Sequence, residues 1–327
     1  MKANTPIFIS MLILTSLTSM TSTNSFFTWA MLELNMLSFI PLIQTSNSMT
    51  ATEASIKYII PQSFASSLFM TSTLLMSLTP QSNILSTLAL IMKVGGAPMH
   101  TWFPTVLQHT NLLAGMTLTT WQKLAPLLLM TTKELSYTPI ITLSAITSAL
   151  WGSMAGLNQT HLLKLMAFSS INHLSWLMMT SLFNPLILAI YLFLYSMTVS
   201  PIFLILNSLN TKLYNITVLK PQTTQQQLLI ILLMLSLAGL PPLPMFLAKL
   251  QLLTLMISKP MFIQLTIMLL STTISLYFYL SLAMLLMLNQ ITSLTSTEVN
   301  PLSNHTLFIS STLIQLTTTL ILLTLIL

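Results

Sequence analysis

The chain has 327 residues, of which 54% are hydrophobic and 4% are charged, and its mean hydropathy is +0.85. A soluble protein carries about 25% charged residues, so this composition excludes a water-soluble fold. All ten basic residues are Lys and all four acidic residues are Glu. Because there is no Arg and no run of basic residues, the net charge of +6 does not indicate a nucleic-acid partner. The absence of Cys excludes disulfides and thiolate-held iron–sulfur clusters.

Apolar windows long enough to cross a bilayer follow one another along the whole chain. A transmembrane helix needs roughly 20 mostly apolar residues. About eleven such windows are separated by polar or Pro-containing segments: 6–22, 26–44, 59–78, 84–107, 111–131, 138–157, 161–182, 185–206, 227–249, 261–288 and 305–327. We therefore predict an all-α, polytopic membrane helix bundle of about 11 transmembrane helices, with residues 1–327 forming a single integral membrane domain.

The lysines in the predicted loops divide unequally between the two sides of the membrane. An odd number of spans places the two termini on opposite sides. The side of the N-terminus holds more loop lysines than the other side: Lys2, Lys57, Lys164, Lys212 and Lys220 against Lys133 and Lys259. Because loop lysines are enriched on the cytoplasmic or matrix side, we predict that the N-terminus lies there and the C-terminus on the outer side.

Four ionisable residues fall within the apolar windows instead of in loops: Glu33, Lys93, Lys123 and Lys249. A charge at that depth costs at least about 2.5–3.5 kcal/mol on insertion scales. A desolvated lysine releases its proton more easily, whereas a nearby carboxylate holds it charged, so one acid and three bases on different helices indicate a proton relay. The alternative is that the lysines snorkel to the interface or form static pairs, which applies best to Lys249, near the end of its window.

Two of the predicted spans contain Gly and Pro close to one of these lysines, in residues 93–98 and residues 239–249. Proline removes an N–H group and clashes with the preceding turn, and irregular backbone at membrane depth is tolerated only in buried or water-lined places. We therefore predict two discontinuous helices, with an ordinary proline kink as the alternative. The residues predicted to break these helices are Gly95, Gly96, Pro98, Gly239, Pro241 and Pro242.

The remaining polar residues give weaker indications. Lys164 and His173, in one window, are candidates for the point where protons enter from the inner side, and snorkelling of Lys164 explains its position equally well. Glu53 and Lys57 are four residues apart, which predicts a structural ion pair on one helix face. No two histidines have a metal-ligand spacing, so we expect no bound metal.

Several short stretches between residues 26 and 280 occur in a specific order and spacing. They are Leu32-Glu33-Leu34-Asn35, Glu53-Ala-Ser-Ile-Lys57-Tyr58, Lys93-Val-Gly95-Gly96-Ala-Pro98-Met-His100, Thr120-Trp121-Gln122-Lys123-Leu-Ala-Pro126 and Gly239-Leu-Pro241-Pro242. Together they resemble the NADH dehydrogenase subunit 2 family, the mitochondrially encoded chain 2 of NADH:ubiquinone oxidoreductase, or respiratory complex I.

This resemblance implies an antiporter-like core subunit of the mitochondrial inner membrane. Such a subunit moves protons from the matrix to the intermembrane space while partner subunits transfer electrons from NADH to ubiquinone. The resemblance implies that Glu33 pairs with Lys93, that Lys123 is the central relay and that Lys249 faces the exit. It further implies that NADH, FMN, the Fe–S clusters and ubiquinone are bound by other subunits, with no cofactor in this chain. The partners would be other membrane-arm subunits and lipids.

Two alternatives remain open at this point. A stand-alone cation/proton antiporter subunit uses the same Lys–Glu chemistry. A scaffold would use the buried charges only to hold a larger assembly together.

Overall fold

The computed structural model describes residues 5–46, 48–76, 82–209, 224–241 and 243–293, and every regular element in these ranges is helical. The all-α prediction is therefore confirmed for this part of the chain. Short 3₁₀ turns occur at Gln44–Ser46 and Trp121–Lys123. The α-helices are α1 (Thr5–Thr21), α2 (Ser25–Ile43), α3 (Met49–Leu75), α4 (Ser82–Val94), α5 (Trp102–His109), α6 (Leu112–Thr119), α7 (Leu124–Leu129), α8 (Thr138–Gly156), α9 (Leu162–Ser181), α10 (Pro185–Leu209), α11 (Thr224–Ala238), α12 (Pro244–Ser258) and α13 (Phe262–Ser293).

Most of the predicted windows coincide with helices, and the differences have local causes. α3 begins well before its window because Ser48 caps it, accepting a hydrogen bond from the Ala51 N–H at 3.2 Å. α12 extends to Ser258, so the window that was predicted to stop at residue 249 was too short. The window 305–327 lies outside the described residues, as does Pro242.

The window 111–131 was predicted as one helix but contains α6, a 3₁₀ turn and α7. Pro126 has no N–H to donate to the carbonyl of Gln122, so a continuous α-helix would lose a hydrogen bond at this point. The hydroxyl of Thr120 donates to the Met116 carbonyl at 2.7 Å, within the last turn of α6. Both features favour an interruption directly before Lys123.

By length and composition, three helical segments among the described residues are apolar enough to cross a membrane: Ser25–Ile43, Pro185–Asn207 and Phe262–Met287. Many other helices contain Ser and Thr, which lower their mean hydropathy. In α9, the hydroxyls of Ser169, Ser170 and Ser175 each donate to a carbonyl three residues earlier, at 2.6–2.8 Å. A hydroxyl bonded in this way needs no water, so hydropathy alone underestimates how well such helices suit an apolar environment.

α9 is the central helix of the bundle, because all of its residues except Lys164 and Phe168 are buried. It packs against α5, α7, α8, α10, α12 and α13. The contact with α8 is especially close at Gly152, where an added Cβ atom would lie 2.8 Å from the backbone nitrogen of Asn172. This central position brings the polar residues of α9 next to several other helices.

Candidate functional site

The three lysines predicted at membrane depth are all buried in the bundle. Lys93 and Lys249 are each 8% exposed and Lys123 is 2% exposed. Lys93 lies in the last turn of α4, Lys123 directly precedes α7, and Lys249 lies within α12 instead of at a helix end. Each lysine nevertheless lies close in space to a helix end: Lys93 to the C-terminus of α4, Lys123 to the start of α7 and Lys249 to the C-terminus of α11. Backbone carbonyls at a helix C-terminus lack intrahelical partners.

α4 ends at a left-handed glycine, Gly95, with φ +81°. The N–H of Gly95 donates to the Met92 carbonyl at 3.1 Å, and the N–H of Gly96 donates to the Ile91 carbonyl at 2.9 Å. This pair of bonds is the Schellman arrangement that closes a helix C-terminus. The predicted glycine pair therefore ends α4 directly after its buried lysine, and Pro98 follows in the connection to α5.

α11 ends in the same way at Gly239, with φ +83°. The N–H groups of Gly239 and Leu240 donate to carbonyls of the preceding turn at 3.0 and 3.4 Å. Here the buried lysine comes from the following helix, because Lys249 Nζ donates to the Ala238 carbonyl at 3.2 Å. A cation at a helix C-terminus is favoured by the partial negative charge of the carbonyl end, so Lys249 stabilises this end of α11.

Gly239→Ala is expected to displace Lys249 from the carbonyl that it caps. An alanine with φ near +83° costs roughly 1–2 kcal/mol, and its Cβ atom would lie 2.9 Å from Lys249 Nζ. Gly95→Ala is the matched control, because it imposes nearly the same backbone strain while its Cβ atom would meet Phe103 instead of a lysine. We expect the Gly239 variant to lose more of the protein's activity per folded molecule than the control. Equal losses in the two variants would contradict this account.

Lys123 is held by one carbonyl and two aromatic rings. Its Nζ donates to the Ser170 carbonyl of α9 at 3.0 Å. The same nitrogen lies 5.2 Å from the ring centre of Phe103 and 5.3 Å from that of Tyr195. A cation over an aromatic face gains up to about 2 kcal/mol when it is desolvated, so the charged form of Lys123 has stabilising contacts even though it is buried.

Two small cavities lie beside Lys93 and Lys123, each with about 10 Å³ of room for the centre of a water molecule. This is about the minimum space for one ordered water. Lys93 lines both cavities, and Lys123 lines the second together with Lys93. The neutral polar residues that line both cavities are Tyr58, Gln62 and Gln122. The two lysines are therefore joined by polar space that is large enough for water.

Residues of α9 contact both Lys123 and Lys249. Ser170, His173 and Trp176 follow at intervals of three residues and span about 9 Å along the helix. Ser170 accepts the hydrogen bond of Lys123, and the ring of Trp176 lies 5.9 Å from Lys249 Nζ. His173, between them, interacts electrostatically with both lysines.

His173 is held by partners from α10. Its Nδ1 lies 3.1 Å from the hydroxyl of Tyr191. The ring of Tyr195 lies 5.3 Å away. His173 therefore packs against two tyrosines of α10.

Glu33 lies on α2, half-buried, and its Oε2 atom is buried without a hydrogen-bond partner. It interacts electrostatically with Lys93 and Tyr58. Among the residues that the structure describes, the only ion pair within 4 Å is Lys57 Nζ to Glu53 Oε2 at 3.5 Å. The predicted Glu53–Lys57 pair is thus present, whereas Glu33 and Lys93 interact at a longer distance.

Lys164 lies apart from the other candidate residues. It is half-buried in the first turn of α9, nine residues before His173 and thus about 13 Å away along the helix. The structure does not bring it into contact with the other buried lysines.

Sequence reasoning missed the neutral members of the site. Asn35, Gln62 and Gln122 surround the first two lysines, and Tyr191 and Tyr195 surround His173. A buried amide or phenol costs less than a buried charge, so these residues did not stand out by burial cost. An amide next to a buried lysine, as in Gln122-Lys123, was the available signal.

Within the described ranges, no group of three or more His, Cys, Asp or Glu residues is arranged to hold a metal ion.

Ammonium groups buried beside helix ends in a helical bundle are typical of ion-translocating membrane proteins. The family model described as NADH:quinone oxidoreductase/Mrp antiporter, TM, matches residues 79–275. The NADH-ubiquinone oxidoreductase chain 2 of Anopheles gambiae is 37% identical to this chain, and the similarity covers 86% of this chain and 85% of that one. The corresponding chain of Latimeria chalumnae is 38% identical, over 84% and 83%. This protein belongs to the NADH-ubiquinone oxidoreductase chain 2 family.

Solved structures show the same fold. A chain of respiratory complex I from Thermus thermophilus with bound aureothin matches with a TM-score of 0.80 at 21% identity, covering 94% of this chain and 77% of that one. A chain of the Mrp complex from Dietzia sp. DQ12-45-1b matches with a TM-score of 0.76 at 16% identity, over 85% and 59%. The resemblance found in the sequence is therefore confirmed, and the fold is antiporter-like.

Proposed function

We propose that this chain is a core membrane subunit of respiratory complex I, NADH:ubiquinone oxidoreductase, and that it translocates protons across the mitochondrial inner membrane. The observation that carries the proposal is the row formed by Lys93, Lys123, His173 and Lys249. Lys93 and Lys123 line one cavity, and Lys123 donates to the Ser170 carbonyl, one turn before His173 on α9. The ring of Trp176, one turn after His173, lies 5.9 Å from Lys249 Nζ. Membership in the chain 2 family supports the same function.

We propose a role for Glu33 and for each of the buried lysines. Glu33 favours the charged form of Lys93, because an opposite charge stabilises an ammonium group. Lys123 is the central relay, and Lys249 passes the proton to the exit on the outer side. Two ammonium groups that line one cavity repel each other, so a proton that arrives at one lysine favours release from the next. Lys164 remains a candidate for the inner end of the path.

The surrounding membrane architecture is part of the proposal. The whole chain, residues 1–327, forms one integral domain of about 11 spans, with the N-terminus in the matrix and the C-terminus in the intermembrane space. α4–α5 and α11–α12 are the two discontinuous transmembrane helices, which is supported by the glycine-terminated ends of α4 and α11. Irregular backbone of this kind is found beside ion sites in transporters.

Electron transfer takes place in partner subunits, which bind NADH, FMN, the Fe–S clusters and ubiquinone. This chain contains no Cys to hold a cluster, and we propose that it has no redox centre of its own. Its partners are the other membrane-arm subunits and lipids. The free energy for moving protons is then supplied by conformational or electrostatic changes that reach this chain from its neighbours.

The test of this function is a native gel of the source membrane solubilised in mild detergent. Co-migration of this chain with NADH-oxidising activity in a very large assembly is the expected result. Migration in a small particle, with that activity elsewhere on the same gel, would refute the assignment and favour the stand-alone cation/proton antiporter.

A further inference from the structure

The side chain of Gln122 lies between the two cavities that adjoin Lys93 and Lys123, and it lines both of them. It directly precedes Lys123, in the 3₁₀ turn between α6 and α7. Gln122 and Lys123 line the second cavity together.

A residue of α2 fixes the orientation of this amide. Gln122 Nε2 donates to Asn35 Oδ1 at 3.1 Å, and Asn35 is buried. This bond uses one of the two N–H donors of the Gln122 amide and fixes which end of the amide faces Asn35, so the carbonyl oxygen is the acceptor that Gln122 can offer to other groups. Gln62 is tied down in a similar way, since its Nε2 donates to the Lys93 carbonyl at 2.9 Å. Both cavities therefore have amide groups with fixed orientations in their walls.

An amide oxygen at this position suits a proton transfer between two lysines. An ammonium group only donates hydrogen bonds, and a water molecule beside it must direct its own protons elsewhere. A neutral acceptor can orient that water without capturing the proton. A carboxylate, in contrast, would capture it. It also stabilises the transferring proton without adding a third charge to the pair.

We propose that Gln122, held by Asn35, is a positioning residue that orients water for proton transfer between Lys93 and Lys123. In the transfer, an N–H bond of the Lys93 ammonium breaks and its proton passes to the water. The water gives up one of its own protons, and a new N–H bond forms on the neutral amine of Lys123. Gln122 is chemically unchanged. The inference rests on the proposed function, since it needs a proton to move between these lysines.

The test compares variants of the complete complex, reconstituted in liposomes and assayed for NADH-driven proton translocation. Gln122→Leu is expected to lower the rate at least about fivefold at normal assembly, because misplaced transfer partners cost at least that much. The ratio of rates in H₂O and D₂O is expected to rise, because proton transfer becomes rate-limiting. A purely structural role would leave this ratio unchanged.

Gln44→Leu is the matched control. Gln44 is also half-buried, and its Nε2 donates to the side-chain oxygen of Ser55 at 3.0 Å. It lines neither cavity. We expect this variant to translocate protons at the wild-type rate. The exchange Asn35→Gln with Gln122→Asn keeps the same atoms in the pair, and we expect it to recover part of the rate that Gln122→Leu loses.

Three outcomes would overturn the inference. Normal translocation by Gln122→Leu, beside an inactive Lys123→Met, would refute the role of Gln122 and leave the proposed function intact. Equal losses of translocation rate in Gln122→Leu and Gln44→Leu, with no recovery when Asn35→Gln is combined with Gln122→Asn, would show that the loss comes from helix packing. Normal translocation by both Gln122→Leu and Lys123→Met would refute the proposed function together with this inference.

Discussion

Lys123→Met is expected to reduce NADH-driven proton translocation by the assembled complex to about a hundredth of the wild-type rate or less, since a positioned proton-transfer group contributes at least about a hundredfold. Methionine has a similar length and still fills the space between Phe103 and Tyr195, so the packing of the site is retained. The group that accepts and releases the proton is lost. The measurement is the quenching of a pH-sensitive dye in liposomes that contain the purified complex.

Lys57→Met is the control for this substitution. Lys57 is exposed and forms an ion pair with exposed Glu53 at 3.5 Å, and such surface pairs contribute about 0–1 kcal/mol. We expect its translocation rate to stay close to that of the wild type. If Lys123→Met assembled and translocated protons normally, the buried lysines would serve only as a scaffold, and the relay would be wrong.

Gly152→Ala is expected to give the largest loss of assembled protein among single-methyl additions. Its Cβ atom would lie 2.8 Å from the backbone nitrogen of Asn172 and 3.0 Å from the carbonyl oxygen of Phe168. Backbone atoms in the middle of α9 cannot move without separating α8 from α9. Overpacking of this kind costs about 1–3 kcal/mol, which lowers the ratio of folded to unfolded protein by a factor of about five or more.

Gly115→Ala provides the comparison, because the same methyl group would meet side-chain atoms of Leu107 and Phe203 at 3.1 Å. Side chains can shift by a few tenths of an ångström at small cost, so this variant is expected to assemble close to normally. The measurement is the amount of complex on a native gel and its half-life in detergent at raised temperature. A Gly115 variant as unstable as the Gly152 variant would show that helix flexibility, and not the backbone contact, sets the cost.

Much of the site was predictable because the free-energy cost of placing a charge in an apolar segment can be estimated from the neighbouring residues alone. Lys93, Lys123 and Lys249 each lie in an apolar window, and a residue at that depth is costly in any fold. The ends of α4 and α11 were predictable for the same reason, since Gly95 and Gly239 occupy backbone conformations that other residues rarely adopt. The membrane class and the helical fold follow from composition and window length alone.

Other parts of the site depend on contacts between distant segments. Lys123 and Ser170 are 47 residues apart in the chain, and only the packing of α9 against the 3₁₀ turn brings them together. The contacts of His173 with Tyr191 and Tyr195 of α10 likewise join residues that are 18 or more positions apart. The interruption before Lys123 was missed, although Pro126 signals it.

A helical membrane bundle with three lysines inside apolar windows could be predicted from the amino-acid pattern, because hydropathy, burial cost and glycine conformation act within a few residues. The groups that surround each lysine could be seen only in the folded chain. The order Lys93, Lys123, His173 and Lys249, and the amide of Gln122 between the first two, arise where helices far apart in the chain meet. Such contacts depend on the shapes of both helices that meet. The residues that determine these shapes are far apart in the chain, so no local sequence pattern reveals the contact.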